Sequence, residues 1–291
     1  MGLRIRTNVS SLTAQRFAEN NSNEMQQSLE RLSSGYRVNK SADDAAGLAI
    51  SESIRAKVRG LNQAKRNAND AVSMIQVAEG SMNEIGNILV RMRELTIQSA
   101  SDTIGDSERS YLNREYTQLV DEIDRISATT EFNSLKLFDE DQKDQLVIQV
   151  GVNGSEVEDN QDTITLNLEG LKEINVEGLN LGRDEEIGPT TVDGEIDRDT
   201  IVTKLNDIDD AINKVSSERA TLGAVQSRLN SAVNNLSVQN ENLRTANSRI
   251  RDVDFAEESS KLTQSRVLQA SSLAVLTQAN QTPEVALQLL R

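Results

Sequence analysis

Histidine, cysteine and tryptophan are all missing from the 291 residues, and aromatic side chains make up only 2% of them. Without imidazole or thiol, the usual zinc sites, histidine bases and cysteine nucleophiles are excluded, and only carboxylates, lysine, tyrosine and hydroxyls remain as possible chemistry. The reading is therefore not an enzyme, with no catalytic, cofactor-binding or metal-binding residue. Zero cysteine also removes disulfides as a source of stability and leaves packing and assembly to supply it. No apolar run approaches the ~20 residues of a membrane span, so no membrane insertion is expected. The amino end, MGLRIRTNVSSL, has two arginines but neither an apolar stretch nor a small-residue cleavage site. It does not read as a secretory signal, which leaves a cytosolic chain or one exported without a cleaved leader.

Charge is unevenly placed. Residues 139–196 hold 16 Asp or Glu against Lys143, Lys172 and Arg183, which is −13 of the chain's net −15. The remainder is close to neutral, which argues against nucleic-acid binding through a basic surface and makes the middle acidic and exposed. Asp139, Glu140 and Asp141, like Asp184, Glu185 and Glu186, lack the spacing of a calcium loop and read as solvated surface. Ser155, Thr163, Thr190 and Thr191 are candidate sites for O-linked sugars, with unmodified hydroxyls the default.

Three periodic stretches carry the fold. Ile54, Leu61, Ala68, Ile75, Met82 and Leu89 recur every seven residues, partnered three on by Ala64, Ala71, Ala78, Ile85 and Met92. This predicts a long helix from Ser53 to about Ser99 with one apolar seam, whose alanines admit a close neighbour. After SDTIGD, with Asp106 or Ser107 as cap, Leu112, Tyr116, Leu119, Ile123 and Ile126 predict a shorter helix, ended by an irregular turn at TTEFNSLKLFD. The strongest pattern is Ile201, Ile208, Val215, Leu222, Leu229, Leu236, Leu243 and Ile250, eight apolar residues seven apart. It predicts a helix from Ile201 to Val253 that would span ~80 Å. Arg219, Gln226, Asn240 and Asn247 interrupt that seam. Between the helices QLVIQV and TITLNL are short β-like runs joined by a polar, glycine-containing link, the pattern of a hairpin.

Both ends are helical by pattern but thin in apolar content. Leu3, Ile5, Val9, Leu12, Phe17, Met25, Leu29 and Leu32 are scattered among polar residues over 1–44, and Leu262, Leu268, Val275, Ala279, Leu287 and Leu290 over 255–291. Helices that cannot bury their stripe alone are expected to stay disordered until a partner covers them, whether the other end or another copy. SerSerGly at 33–35 and AspAspAla at 43–45 lack the phosphate-loop pattern and read as a turn and helix cap.

Residues 28–51, SLERLSSGYRVNKSADDAAGLAIS, with NAND at 67–70, AEGSMNEI at 78–85 and RMRELTIQSA at 91–100, resemble the amino-terminal half of the bacterial flagellins. ERATLGAVQSRL at 218–229, ENLRTANSRIRDVDFAEE at 241–258 and QAN at 278–280 resemble the carboxyl-terminal half, in the correct order. The resemblance implies a mainly α fold, a long antiparallel helical bundle or coiled coil formed by the two halves, with a small β-rich central insertion. It implies terminal helices at 1–44 and 255–291 in an inner filament tube, a helical core at 45–138 and 197–254, and an outward-facing acidic insertion at 139–196. The implied function is an extracellular filament subunit for swimming that polymerises with itself, exported through the flagellar type III apparatus. Assembly is assigned to Ile5, Val9, Leu12, Leu29, Leu32, Leu262, Leu268, Val275, Leu287 and Leu290. Implied partners are an export chaperone, a filament cap and junction proteins. Arg91, Leu95 and Glu115 match the positions by which many flagellins engage Toll-like receptor 5. A hook-filament junction protein and a free coiled-coil adaptor are the alternatives.

Overall fold

The computed structural model describes residues 7–139, 143–152, 161–182, 187 and 198–288. Among the described residues six helices and two short hairpins follow one another: α1 (Val9–Ser34), α2 (Ala45–Ser99), α3 (Asp106–Thr129), β1 (Glu131–Phe132), β2 (Leu135–Lys136), β3 (Gln145–Gln149), β4 (Thr163–Asn167), α4 (Glu169–Lys172), α5 (Arg198–Arg251) and α6 (Phe255–Gln288). The mainly α class and the central hairpin follow the expectation from the sequence. The chain forms two compact units, one of residues 1–58 and 241–291, the other of residues 59–240.

The 59–240 unit owns the hydrophobic core. From α2, both predicted seam rows from Leu61 to Met92 are buried, and from α5 so are Ile201, Ile208, Val215, Leu222, Leu229 and Leu236. Tyr116, Val120 and Ile123 of α3 complete the packing. Ala64, Ala68, Ala71 and Ala78 are among the buried positions, as close helix approach requires. Towards its far end α5 turns polar, where Asn240 Nδ2 donates to Asn62 Oδ1 at 2.9 Å and Lys65 Nζ to Ser237 Oγ at 2.9 Å. Arg93 clamps Asp209 through two hydrogen bonds, of 2.6 and 3.4 Å.

Three local expectations are corrected. The cap of α3 is Gly105 rather than Asp106 or Ser107, and Asp106 and Glu108 instead place carboxylates in its first turn. The helix gains there from the macrodipole in place of a side-chain cap. TTEFNSLKLFD is a tight hairpin, not an irregular turn: Phe132 pairs with Leu135 across Asn133 and Ser134, both at positive φ (52° and 65°). That is the two-residue turn matching the twist of paired strands, made without the usual glycine. The predicted helix from Ile201 to Val253 is α5, which stops at Arg251, short of Val253.

QLVIQV and TITLNL form the antiparallel pair β3–β4, in register Gln145↔Asn167 to Gln149↔Thr163. The described part of the acidic middle does not stand away from the bundle. Ile148, Ile164, Leu166, Leu168, Leu171 and Ile174 join the same core as α2, α3 and α5, leaving the carboxylates outside. Gly60 makes room for this, since a Cβ there would collide with Val152. Ile187 is tied down as well: its N–H donates to buried Asn113 Oδ1 at 3.0 Å, and its carbonyl accepts from Ser99 Oγ.

In the other unit, α1 and α6 pack antiparallel on each other. Asn8 caps α1, its Oδ1 accepting from Ser11 N at 3.1 Å. Gly35 closes the helix at φ 74°, a left-handed conformation that a side chain would strain.

Candidate assembly surface

Helix α1 has buried or half-buried positions at Ser11, Ala14, Ala18, Asn21, Met25, Ser28 and Leu32, alternately three and four residues apart. Helix α6 matches it with Glu258, Leu262, Ser265, Gln269, Ser272, Leu276 and Ala279, and every other position from Phe255 to Gln281 is exposed. This is coiled-coil spacing filled mostly by small and polar side chains. Hydrogen bonds cross the seam from Asn8 Nδ2 to Ala279 O (2.8 Å), from Ser11 Oγ to Asn280 Oδ1 (2.7 Å) and from Asn21 Nδ2 to Ser272 Oγ (2.8 Å).

Apart from Met25, Leu32, Leu262 and Leu276, the described large apolar side chains of the two helices lie outside the seam. Val9 and Leu12 are each 57% exposed, Phe17 55% and Val275 56%, with Leu29, Phe255, Val267, Leu268 and Leu273 also exposed. Scattered exposed hydrophobics are ordinary on a protein surface. Here nine of them belong to one helix pair whose own seam needs none of them, and exposed apolar surface in that amount is what an interaction partner covers.

The residues assigned to assembly thus separate. Val9, Leu12, Leu29, Leu268 and Val275 face outward, whereas Leu32 and Leu262 are half-buried in the seam. Ile5 and Leu290 lie outside the described residues, as does the side chain of Leu287. Phe255, Val267 and Leu273 were missed. The apolar run LAVL at 273–276 was the available signal for the last of them.

A clasp joins the bases of the helices within this unit. Arg37 N donates to Arg251 O at 2.6 Å, and Val253 N to Gly35 O at 3.0 Å. The Arg251 guanidinium lies 4.5 Å from the Tyr36 ring centre and donates to Glu52 at 2.9 Å. That hydrogen bond holds the Glu52 carboxyl below its ordinary pKa, with further help from the charges of Arg55 and Arg251 against the desolvation that opposes them. Asp43 is lowered too, because the backbone N–H groups of Lys40 and Asn39 donate to it. Asp44 Oδ1 accepts from Gly47 N at 2.8 Å. SerSerGly and AspAspAla are accordingly the helix stop, turn and helix start read from the sequence.

Of the three receptor-matching positions, Arg91 and Glu115 are exposed and paired, Arg91 Nη2 to Glu115 Oε1 at 2.7 Å, with Glu94 also on Arg91 at 3.0 Å. Leu95 is wholly buried in the core beneath them. Among the described residues no helix is long and apolar enough to cross a membrane, and no cluster of carboxylates is placed to hold a metal ion.

The bacterial flagellin N-terminal helical region matches residues 5–143, and the bacterial flagellin C-terminal helical region matches residues 205–290. The chain is 43% identical over 287 residues to the flagellin of Halalkalibacterium halodurans, covering 99% of both chains. It is 38% identical over 293 residues to the flagellar filament 33 kDa core protein of Treponema phagedenis, again over 99% of both. A solved chain from Vibrio parahaemolyticus, assigned as flagellar hook-associated, is similar in fold, with a TM-score of 0.56 and 14% identity over 72% of this chain and all of that one. Two helical regions in the family's order, with near full-length identity on either side of the acidic middle, place this chain in the bacterial flagellin family.

Proposed function

We propose that the chain is a structural subunit that polymerises with itself into the bacterial flagellar filament, and that the outward faces of α1 and α6 are the surfaces by which copies join. The observation carrying this reading is the inversion in the terminal pair, with small and polar residues inside and Val9, Leu12, Phe17, Leu268, Leu273 and Val275 outside. In water such a pair is poorly driven to form, because its own seam buries little apolar area. Copies packed around an axis would bury the outer residues, making helix formation and assembly one event. Residues 1–44 and 255–291 then line the inner tube, 45–138 and 197–254 form the helical core, and the carboxylates of 139–196 face solvent.

The same weakness suits passage of an unfolded chain through the flagellar type III apparatus without a cleaved leader. A chaperone covering the carboxyl-terminal stripe, a distal cap and junction proteins are the partners this route needs. Toll-like receptor 5 would meet the Arg91–Glu115 pair on the surface, with Leu95 acting beneath it by shaping the α2 face. The likeness to the hook-associated chain is one of fold and does not favour a junction role.

Electron microscopy of purified protein and of a chain lacking 255–291 tests the proposal. Long tubular filaments are expected from the full chain, and a soluble, helical, non-polymerising product from the truncated one. Rings or stubs from the full chain, or seed elongation by the truncated chain, would contradict it.

A further inference from the structure

The seam between α1 and α6 is poor at choosing its own register. Sliding α6 by one heptad brings Ser265 to the level of Ser272, Leu262 to that of Gln269, Gln269 to that of Leu276 and Ser272 to that of Ala279, so the seam gains one leucine where it loses another and keeps its small, polar character elsewhere. One seam residue is different in kind. Glu258 has a side chain only 5% exposed, and it lies beside Arg31, 3.9 Å from the nearest guanidinium nitrogen. Arg31 Nε and Glu258 Oε1 are both buried without a hydrogen-bond partner among the described residues. The two charges also sit where the helix dipoles favour them, Arg31 in the last turn of α1 and Glu258 in the first turn of α6. Because the helices are antiparallel, those two ends coincide.

We propose that Arg31 and Glu258 are the register lock of the terminal helix pair. Lys261 also acts on Glu258 but rides on the same helix, so a slip removes only the partner across the seam, and the buried Arg31–Glu258 pair selects one alignment where the rest of the seam accepts several. The best-attested use of a buried polar group in a coiled coil is of this kind. A slip of one heptad towards the amino end of α1 would carry Glu258 to the level of Met25 and leave Arg31 without its carboxylate. The consequence for polymerisation rests on the reading of α1 and α6 as assembly elements: one register presents one fixed pattern of outward apolar residues, and a slipped register presents another.

The chain has no cysteine, so an introduced pair supplies its only thiols. Asn21→Cys with Ser272→Cys reports the native alignment, and Asn21→Cys with Ser265→Cys reports alignment displaced by one heptad. Both pairs are to be oxidised in the full-length chain after elongation on wild-type seeds, in the parent background and in Glu258→Gln. The native pair alone should cross-link in the parent, and Glu258→Gln should shift the native-to-displaced ratio by about tenfold towards the displaced pair. The exchanged variant Arg31→Glu with Glu258→Arg should restore the parent ratio and controls for misfolding of the single variant. A ratio in Glu258→Gln within about twofold of the parent's, absence of native cross-linking in the parent, or an exchanged variant that keeps the shifted ratio would each overturn the lock. Elongation by the parent tests the assembly reading separately, since it is scored without regard to the cross-link ratio.

Discussion

In the unit of residues 59–240, heptad positions hold Ile75, Met82, Leu89, Leu222 and Leu229, all buried, while the surface between them is mostly polar. In the unit of residues 1–58 and 241–291, the corresponding positions hold Ala14, Asn21, Ser28, Ser265 and Ser272, while Val9, Leu12, Leu273 and Val275 face solvent. Spacing is the same in both, and side-chain size is inverted. The first unit therefore completes its core within one chain, and the second leaves its apolar area available to neighbours. Heptad spacing alone announces a helix interface. Which residues occupy the seam decides whether that interface suffices.

The contrast is broken most severely by Leu12→Ser with Leu268→Ser. Losing two buried leucines at ~1.5–3 kcal/mol each should raise the critical concentration for filament growth by about two orders of magnitude or more. Unfolding of the free chain should stay within about 0.5 kcal/mol of the parent. Sedimentation of polymer against subunit concentration, beside urea unfolding of monomer, reads both quantities, and a stability loss equal to the assembly loss would erase the distinction. Ile75→Ala is the converse, expected to cost about 2–5 kcal/mol in monomer unfolding because it opens a cavity in a core completed by the chain itself.

Tyr116→Phe is a subtler probe of that core. Burial, with a smaller push from Asp207, raises the tyrosine to about 12, and its hydroxyl has no hydrogen-bond partner among the described residues. The folded state therefore favours the neutral phenol. Its stability is complete below the ordinary value of about 10 and declines as pH rises from there through about 12. Phenylalanine should leave neutral-pH stability within about 1 kcal/mol and flatten that alkaline decline in pH-dependent thermal melts. The smallest effect belongs to Glu52→Gln at the clasp. Its lowered carboxyl contributes above the ordinary carboxylate range and loses that contribution as pH falls through the folded value, so the variant should lose the acid dependence of amide exchange at Arg37 and Val253.

The core was legible because large apolar residues recur at a fixed period: every seam residue of α2 from Leu61 to Met92, and of α5 from Ile201 to Leu236, lies where its spacing places it. The hairpin at Asn133–Ser134 was not, since its positive-φ residues lack the glycine that usually marks such a turn. The terminal pair was legible in outline and misleading in detail. Reading for apolar residues selected Val9, Leu12, Leu29, Leu268 and Val275, which face outward, together with Leu32 and Leu262, which face the partner helix. The true seam contains serine, asparagine, glutamine and a glutamate, which a search for apolar period passes over. For the same reason the apolar spacing gives no sign of Arg31 and Glu258, which only the fold brings together.

The central claim is that α1 and α6 gain their stability from neighbouring copies, whereas the 59–240 core does not. Hydrogen exchange measured residue by residue on free chain and on filament tests it most directly. Amides of Leu12–Leu32 and Leu262–Ala279 should exchange with little protection in the free chain and become protected by several orders of magnitude on assembly, while those around Ile75 and Leu229 are protected equally in both. Strong protection of the terminal helices in the free chain, unchanged by assembly, would contradict the account.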